Sequence, residues 1–199
     1  MKRVIVRDAT RNQSTWRKGK KIFSATLALI IINALFFLIV ILLQISYPNL
    51  FNEIALNPNL ILNGEKLWTL VTSMFMHASF FHLFVNMLSL FFLGSFLEKL
   101  IGNKKFISIY LISGIVGALF FLLLFSLFQD PRLIILSLFT RGVSKLQIIA
   151  VGASAAIFGI AGMLAALTPR LPVYIMFIPI AIPMALAVII LLLVLSLIP

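Results

Sequence analysis

The sequence predicts an all-α fold, a polytopic bundle of transmembrane helices, and three observations support this prediction. Of the 199 residues, 62% are hydrophobic and 11% are charged, whereas soluble domains average roughly 45–50% apolar and about 25% charged. The apolar residues are concentrated in runs long enough to cross a hydrocarbon core about 30 Å thick. The charged residues cluster outside those runs. A soluble globular domain is therefore excluded, and lipid is the expected solvent.

A basic arm occupies residues 1–21. It holds eight Lys and Arg residues against Asp8 alone and so contributes +7 to a formal net charge of +11. A basic segment directly before an apolar run is typical of a cytoplasmic anchor that sets orientation, and it attracts anionic lipid headgroups. We therefore expect an integral multi-pass protein of the plasma membrane with a cytoplasmic N-terminus that contacts lipid headgroups and no nucleic acid.

Residues 22–199 form the predicted membrane domain, with five apolar spans. The fourth is short and rich in small residues, and the fifth contains Pro179 and Pro183, which should kink it or mark a late helix start. Between the first two spans, a turn-rich segment that includes Trp68 is expected to lie in the membrane interface. The predicted spans are Ile22–Ile45, Ala78–Leu97, Phe106–Phe128, Ser154–Leu167 and Val173–Ile198.

Three polar side chains at membrane depth form the candidate site. His82 and Asn86 are four residues apart, so they project from one face of the second span near its outer end. Ser154 begins the fourth span, whose outer end is recessed because about 14 residues give only about 21 Å of helix. The topology brings all three groups to the outer leaflet. A hydroxyl beside the free N–H groups of a helix N-terminus suits attack on a carbonyl, so acyl transfer is one interpretation.

The same residues also have structural interpretations. Ser154 could bond to a carbonyl one turn back, and His82 and Asn86 could bond to a neighbouring helix. The fourth span also carries a stripe of small residues suited to close helix packing, formed by Ala155, Gly159, Gly162 and Ala166. For Ser154, packing and catalysis are equally compatible with the pattern.

Other polar residues are expected to be structural. His77 lies just outside the second span, where a solvated or structural role is expected, and Glu98 and Lys99 close that span as snorkelling or ion-paired side chains. His77 and His82 are five residues apart with no acidic residue nearby, which makes a poor metal site. The sequence therefore predicts neither a metal nor an organic cofactor.

Three segments around these groups occur in a recognisable order. They are the run from Trp68 to Asn86, the run from Gly94 to Lys99, and the run from Gly152 to Gly159. Together they resemble the rhomboid intramembrane serine proteases, from about Gly64 to the chain end. The resemblance implies that Ser154 is the nucleophile, that His82 and Asn86 hold the oxyanion with the serine N–H, and that the substrates are transmembrane proteins. It also implies a membrane-dipping loop before the second span.

The chain departs from the family pattern at three places. Thr69 follows Trp68 where the family usually has Arg, and Ala155 follows the serine where Gly is common. The third departure concerns the general base, which rhomboids take from a His on a sixth span; no His follows Ser154 in this sequence. A serine without a base is a weak nucleophile. We expect the sixth span to be missing through truncation rather than through evolved inactivity.

Three functions are compatible with the sequence. The first is an intramembrane serine endopeptidase that cleaves in or near transmembrane segments. The second is a catalytically inactive rhomboid-like protein that binds membrane-protein clients, for which the missing His is the support. The third is a small transporter or channel component, suggested by the two prolines of the fifth span and by polar groups at membrane depth. Internal symmetry and a charged pathway, which would support the third function, are not visible in the sequence.

Overall fold

The structure is a computed structural model and describes residues 24–128, 149–174 and 181–196. The predictions for the basic arm, residues 1–21, therefore lie outside the described residues. Within the described residues, helices account for most of the chain. They are α1 (Ala25–Gln44), α2 (Leu50–Ile54), α3 (Pro58–Leu62), α4 (Thr69–Thr72), α5 (Phe80–Ser89), a π-helical turn (Leu90–Gly94), α6 (Ser95–Ile101), α7 (Asn103–Phe128), α8 (Ser154–Leu167) and α9 (Met184–Ser196).

Among the described residues, three helical segments are long and apolar enough to cross a membrane: α1, the continuous segment Phe80–Ile101, and α7. The predicted fourth span has the predicted bounds, because α8 is an apolar helix of 14 residues, Ser154–Leu167. The predicted helical bundle is confirmed. The turn-rich segment between the first two spans contains three short helices, α2 to α4, that the sequence analysis did not predict.

The fifth span begins later than predicted. Residues Pro172–Tyr174 and Ala181–Pro183 form two antiparallel strands, β1 and β2, with Val173 opposite Ile182, and α9 begins only at Met184. The helical start predicted at Val173 is therefore wrong, and this strand pair is a small exception to the all-α prediction. A late helix start, which was one of the two effects expected of the prolines, is observed after Pro183, which lacks an N–H group and disfavours helical backbone in the residue before it. Pro179 lies outside the described residues.

The outer surface of the bundle is apolar. On both α1 and α7, large exposed side chains recur every three or four residues and therefore share one helix face. These side chains are Leu27, Ile31, Leu35, Leu38 and Leu42 on α1, and Ile112, Val116, Leu119 and Leu123 on α7. Such faces are stable against hydrocarbon and not against water. The chain is therefore an integral membrane protein.

The buried core lies where α7 and α8 meet the second span. Leu90, Leu97, Phe106, Tyr110 and Ile160 are all inaccessible to solvent. The first span joins this core through a polar contact: Asn33 Nδ2 donates to the Leu29 carbonyl at 2.8 Å and lies 3.3 Å from the Tyr110 hydroxyl. Pairing a buried amide in this way offsets part of the cost of removing it from water.

Small residues bring α7 and α8 into close contact. The Ala155 side chain lies against Gly117, and a Cβ added at Gly159 would overlap the side chain of Ser113. The packing role expected for Ala155 and Gly159 is therefore observed. Gly162 differs, because no atom of the described residues lies within 4 Å of a Cβ added there. The contact between the two helices fixes the height at which α8 begins.

The Glu98 carboxylate ties the first span to the second. Its Oε1 accepts a hydrogen bond from the Ala25 backbone N–H at 2.8 Å, and Oε2 accepts from the Thr26 N–H at 2.9 Å and the Ser24 hydroxyl at 3.1 Å. A helix leaves its first N–H groups without intrahelical acceptors, and a negative charge there is stabilised by the helix dipole. Glu98 is thus an N-terminal cap for α1 rather than the snorkelling or ion-paired side chain expected from the sequence.

Replacing Glu98 should loosen the start of α1. We expect Glu98→Gln to lower the free energy of unfolding by about 1–3 kcal/mol, because the charged acceptor of three hydrogen bonds becomes a neutral amide. Thermal denaturation in detergent micelles would measure the loss. Lys99→Gln is the matched control at the adjacent exposed position. Equal stability of the two variants would contradict the capping role.

The two glycines of α8 should respond oppositely to alanine. Gly159→Ala forces the new methyl group into Ser113, so we expect a loss of about 1–3 kcal/mol in the free energy of unfolding. Gly162→Ala meets open space and should be neutral or stabilising by up to about 1 kcal/mol, because alanine favours helix. Both are measured by thermal denaturation. Adding Ser113→Gly to Gly159→Ala should restore most of the loss, and failure of this rescue would argue against the described helix contact.

Candidate active site

The start of α5 places His82. Ser79 is the N-cap residue, with extended backbone, and its hydroxyl accepts a hydrogen bond from the His82 N–H at 3.1 Å. Such a cap satisfies an N–H group that the helix cannot satisfy itself. His82 therefore lies in the first turn of α5, where its ring is half-buried.

Asn86 lies one turn further along the same face of α5. Its Nδ2 donates to the His82 carbonyl at 2.8 Å, and the residue is buried. An amide nitrogen carries two hydrogens, so this bond uses one of them and leaves the other for a second acceptor. The structure thus keeps the two side chains on a common face, as the four-residue spacing predicted.

Ser154 is the first residue of α8. It is only partly buried, and it lies among the N–H groups that a helix N-terminus leaves without intrahelical acceptors. The segment before it is held by backbone hydrogen bonds to the connection between the first two spans. Ala150 and Leu56 exchange two of these bonds, at 2.9 and 3.1 Å, and Gly152 N–H donates to the Ser73 carbonyl at 2.8 Å.

Gly152 brings the serine segment into contact with α5. A Cβ added at Gly152 would lie 2.8 Å from both Cε1 and Nε2 of His82, so the imidazole packs directly on the glycine backbone. Gly152 also has a φ of 114°, which favours glycine over any residue with a side chain. The His82 ring therefore contacts the residue that is two positions before Ser154 in the chain. Gly152 lies in one of the motif segments of the sequence, but the sequence alone predicted no role for it.

A cavity of about 180 Å³ adjoins the serine. It lies between the N-terminal end of α8 and the small-residue face of α7, and Phe121 also borders it. His82 and Asn86 are not among its lining residues. The cavity and the His82 ring therefore both adjoin the segment around Ser154, but the ring does not line the cavity. The small residues that line the cavity include Gly114, Gly117, Gly152 and Ala155.

His77 is buried in contact with His82. It is 1% exposed, and the two imidazole rings meet edge to face, with centroids 5.2 Å apart and an interplanar angle of 72°. Burial, and secondarily the nearby His82, lower the pKa of His77 to about 4, against a raising effect of the Phe75 carbonyl. His77 is therefore uncharged at neutral pH. The solvated role considered for it is wrong, and the structural role agrees with its burial.

Metal binding has no visible basis in the described ranges, 24–128, 149–174 and 181–196. They contain no group of three or more His, Cys, Asp or Glu side chains that could hold an ion. The expectation that the protein uses no metal or organic cofactor stays a prediction.

This fold and site define a class of protein: a polytopic helical membrane protein with a serine at a helix N-terminus, next to a helix that carries a histidine. A family model described as "Rhomboid domain" matches residues 64–199. The chain belongs to the rhomboid family, and the resemblance inferred from the sequence motifs is confirmed.

Three relatives illustrate the range of the family. The chain is 35% identical to "RHOMBOID-like protein 1" of Arabidopsis thaliana over 60% of this chain and 26% of that protein. It is 33% identical to "Putative rhomboid protease YdcA" of Bacillus subtilis (strain 168) over 52% of this chain and 42% of that protein. It is 40% identical to "Inactive RHOMBOID-like protein 8" of Arabidopsis thaliana over 29% of this chain and 16% of that protein. The chain thus spans less than half the length of each of these relatives.

Proposed function

We propose that this chain carries the serine and oxyanion side of an intramembrane serine endopeptidase, which cleaves peptide bonds in or near transmembrane segments of membrane proteins. The observation that carries the proposal is the packing of the His82 ring on Gly152, two residues before Ser154. That contact joins two elements that are far apart in sequence. It fits a site in which a hydroxyl and hydrogen-bond donors act on one carbonyl group.

The proposed reaction is acyl transfer. Ser154 Oγ attacks the carbonyl carbon of the scissile peptide, and the hydroxyl proton passes through a general base to the leaving amine. The C–N bond breaks, leaving an ester on Ser154, which water then hydrolyses to the carboxylic acid and the free serine. During each addition step, the Ser154 backbone N–H, a ring N–H of His82 and the Asn86 amide donate to the developing oxyanion, where such donors have most effect.

The general base is proposed to come from residues other than His77 and His82. Both precede Ser154, and they are the two histidines of this sequence. His82 has the oxyanion role in this proposal, and His77 is buried. The resemblance to rhomboids implies a His on a sixth span, so the coding sequence beyond codon 199 is the direct test. An in-frame span with His supports the protease, whereas a stop codon at that point supports the alternative function below.

The Glu98 cap shows which helix ends lie on the same side of the bundle. The hydrogen bonds of Glu98 to Ala25 and Thr26 place the start of α1 beside the C-terminal end of the second span, whereas His82 lies at its N-terminal end. Because basic residues beside a span favour the cytoplasmic side, we propose that the basic arm and this end of the bundle are cytoplasmic, with the arm in contact with anionic headgroups of the plasma membrane. The candidate site then faces the opposite leaflet, where transmembrane substrates enter laterally.

A second function has specific support. A similar relative is named "Inactive RHOMBOID-like protein 8". A rhomboid-like protein without a base could still hold a transmembrane client against the same helices. Client capture without cleavage by the full-length protein, unchanged in Ser154→Ala, would favour this function.

A fluorophosphonate activity probe tests the protease directly. In the full-length protein, we expect Ser154 to be labelled and Ser154→Ala to abolish both labelling and substrate cleavage. His82→Ala and Asn86→Ala should each lower the cleavage rate by about 10²–10³-fold, because each removes an oxyanion donor. Mass spectrometry of the labelled peptide and a gel-based cleavage assay provide the measurements.

Ser108→Ala is the matched control for the loss of a membrane serine. Its hydroxyl bonds to the Lys104 carbonyl, one turn back on α7, and we expect this variant to retain labelling. Labelling at another serine, or none in a full-length protein that contains a base, would exclude the proposed reaction.

A further inference from the structure

His77 has no part in the proposed reaction, yet it is one of the most deeply buried polar residues of the described chain. It is 1% exposed. Its Nδ1 lies 3.3 Å from the Phe75 carbonyl, and its Nε2 has no hydrogen-bond partner among the described residues. A buried polar atom without a partner destabilises a fold. The buried ring of His77 is therefore a candidate for a role at the neighbour that it contacts.

The only ring in aromatic contact with His77, among the described residues, is that of His82. The His82 ring packs on the Gly152 backbone and meets the His77 ring edge to face. Edge-to-face pairs have a preferred geometry. The Phe75 carbonyl, within hydrogen-bonding distance of His77 Nδ1, in turn limits rotation of the His77 ring.

We propose that His77 is a positioning residue, whose buried ring holds the His82 imidazole against Gly152 in the orientation that an oxyanion donor needs. The role is mechanical, because the buried Nε2 of His77 has no acceptor or donor with which to exchange a proton. The lowered pKa of about 4 agrees with this assignment, since an uncharged His77 avoids repulsion with His82. The inference rests on the oxyanion role of His82 in the proposed function.

The kinetic test compares an alanine and a phenylalanine at this position in the full-length protein. His77→Ala removes the ring, and we expect kcat to fall by roughly tenfold to a hundredfold with KM within about twofold, because a misplaced catalytic group affects turnover more than substrate binding. His77→Phe keeps a ring and loses only the contact to the Phe75 carbonyl. It should recover kcat to within about threefold of the unsubstituted protein.

A general loss of stability is separated from positioning by a control. Glu98→Gln destabilises the opposite end of the second span and should leave kcat unchanged below its melting temperature. If Glu98→Gln lowers kcat as much as His77→Ala does, or if His77→Phe is as impaired as His77→Ala, the positioning role is overturned.

A second measurement does not depend on catalysis. With ¹³C-labelled histidine in phospholipid nanodiscs, the nuclear Overhauser effect between His82 Hε1 and a Gly152 Hα proton reports the contact between this ring and the glycine. We expect the effect in the unsubstituted protein and in His77→Phe, and its loss in His77→Ala. Its persistence in His77→Ala overturns the inference.

The two measurements also separate failure of the inference from failure of the proposed function. A full-length protein without Ser154-dependent cleavage would contradict the proposed function, and the nuclear Overhauser effect would still decide whether His77 positions His82.

Discussion

The second span has to direct polar side chains into the bundle at both of its ends, and the rest of the structure depends on this constraint. His82, Asn86 and Glu98 follow one another at multiples of four residues. In a regular α-helix, with 3.6 residues per turn, such a series would rotate by about 160° from first to last. The π-helical turn Leu90–Gly94 adds one residue to a turn and reduces this rotation to about 60°. His82 can therefore meet the serine segment while Glu98 caps α1.

Helix lengths were predictable because apolar run length and helix-breaking residues are local properties. The bounds of α8 follow from a run of small and apolar residues that ends just before Pro169. The same reasoning failed at Val173, where apolar composition suits a strand and a helix equally and where Pro183 sets the actual helix start. The π-helical turn was missed because its residues, Leu90 to Gly94, have an ordinary apolar composition. Its signal in the sequence was that the polar residues on either side of it, Asn86 and Glu98, are separated by a multiple of four residues.

Contacts between distant segments were not predictable from a single sequence. The bonds of Glu98 to the start of α1 cross more than 70 residues, and no periodic pattern identifies such partners. The four-residue spacing did place His82 and Asn86 on one face, but not the packing of His82 on Gly152. For the same reason, the sequence left a solvated and a structural role open for His77, and the fold of the connection before α5, which buries it, agrees with the structural one.

The energetics of this region bear on the choice between a protease and a client-binding protein. Removing a polar group from water costs free energy even when the group is partly paired, and Asn86 is buried. A surface that only held apolar transmembrane clients could use an apolar residue at this position and gain stability. Catalysis instead needs hydrogen-bond donors at fixed positions in a region with little water. The polar side chains around Ser154 are thus costly for binding alone and useful for stabilising an oxyanion, and this difference is the physical argument for the protease.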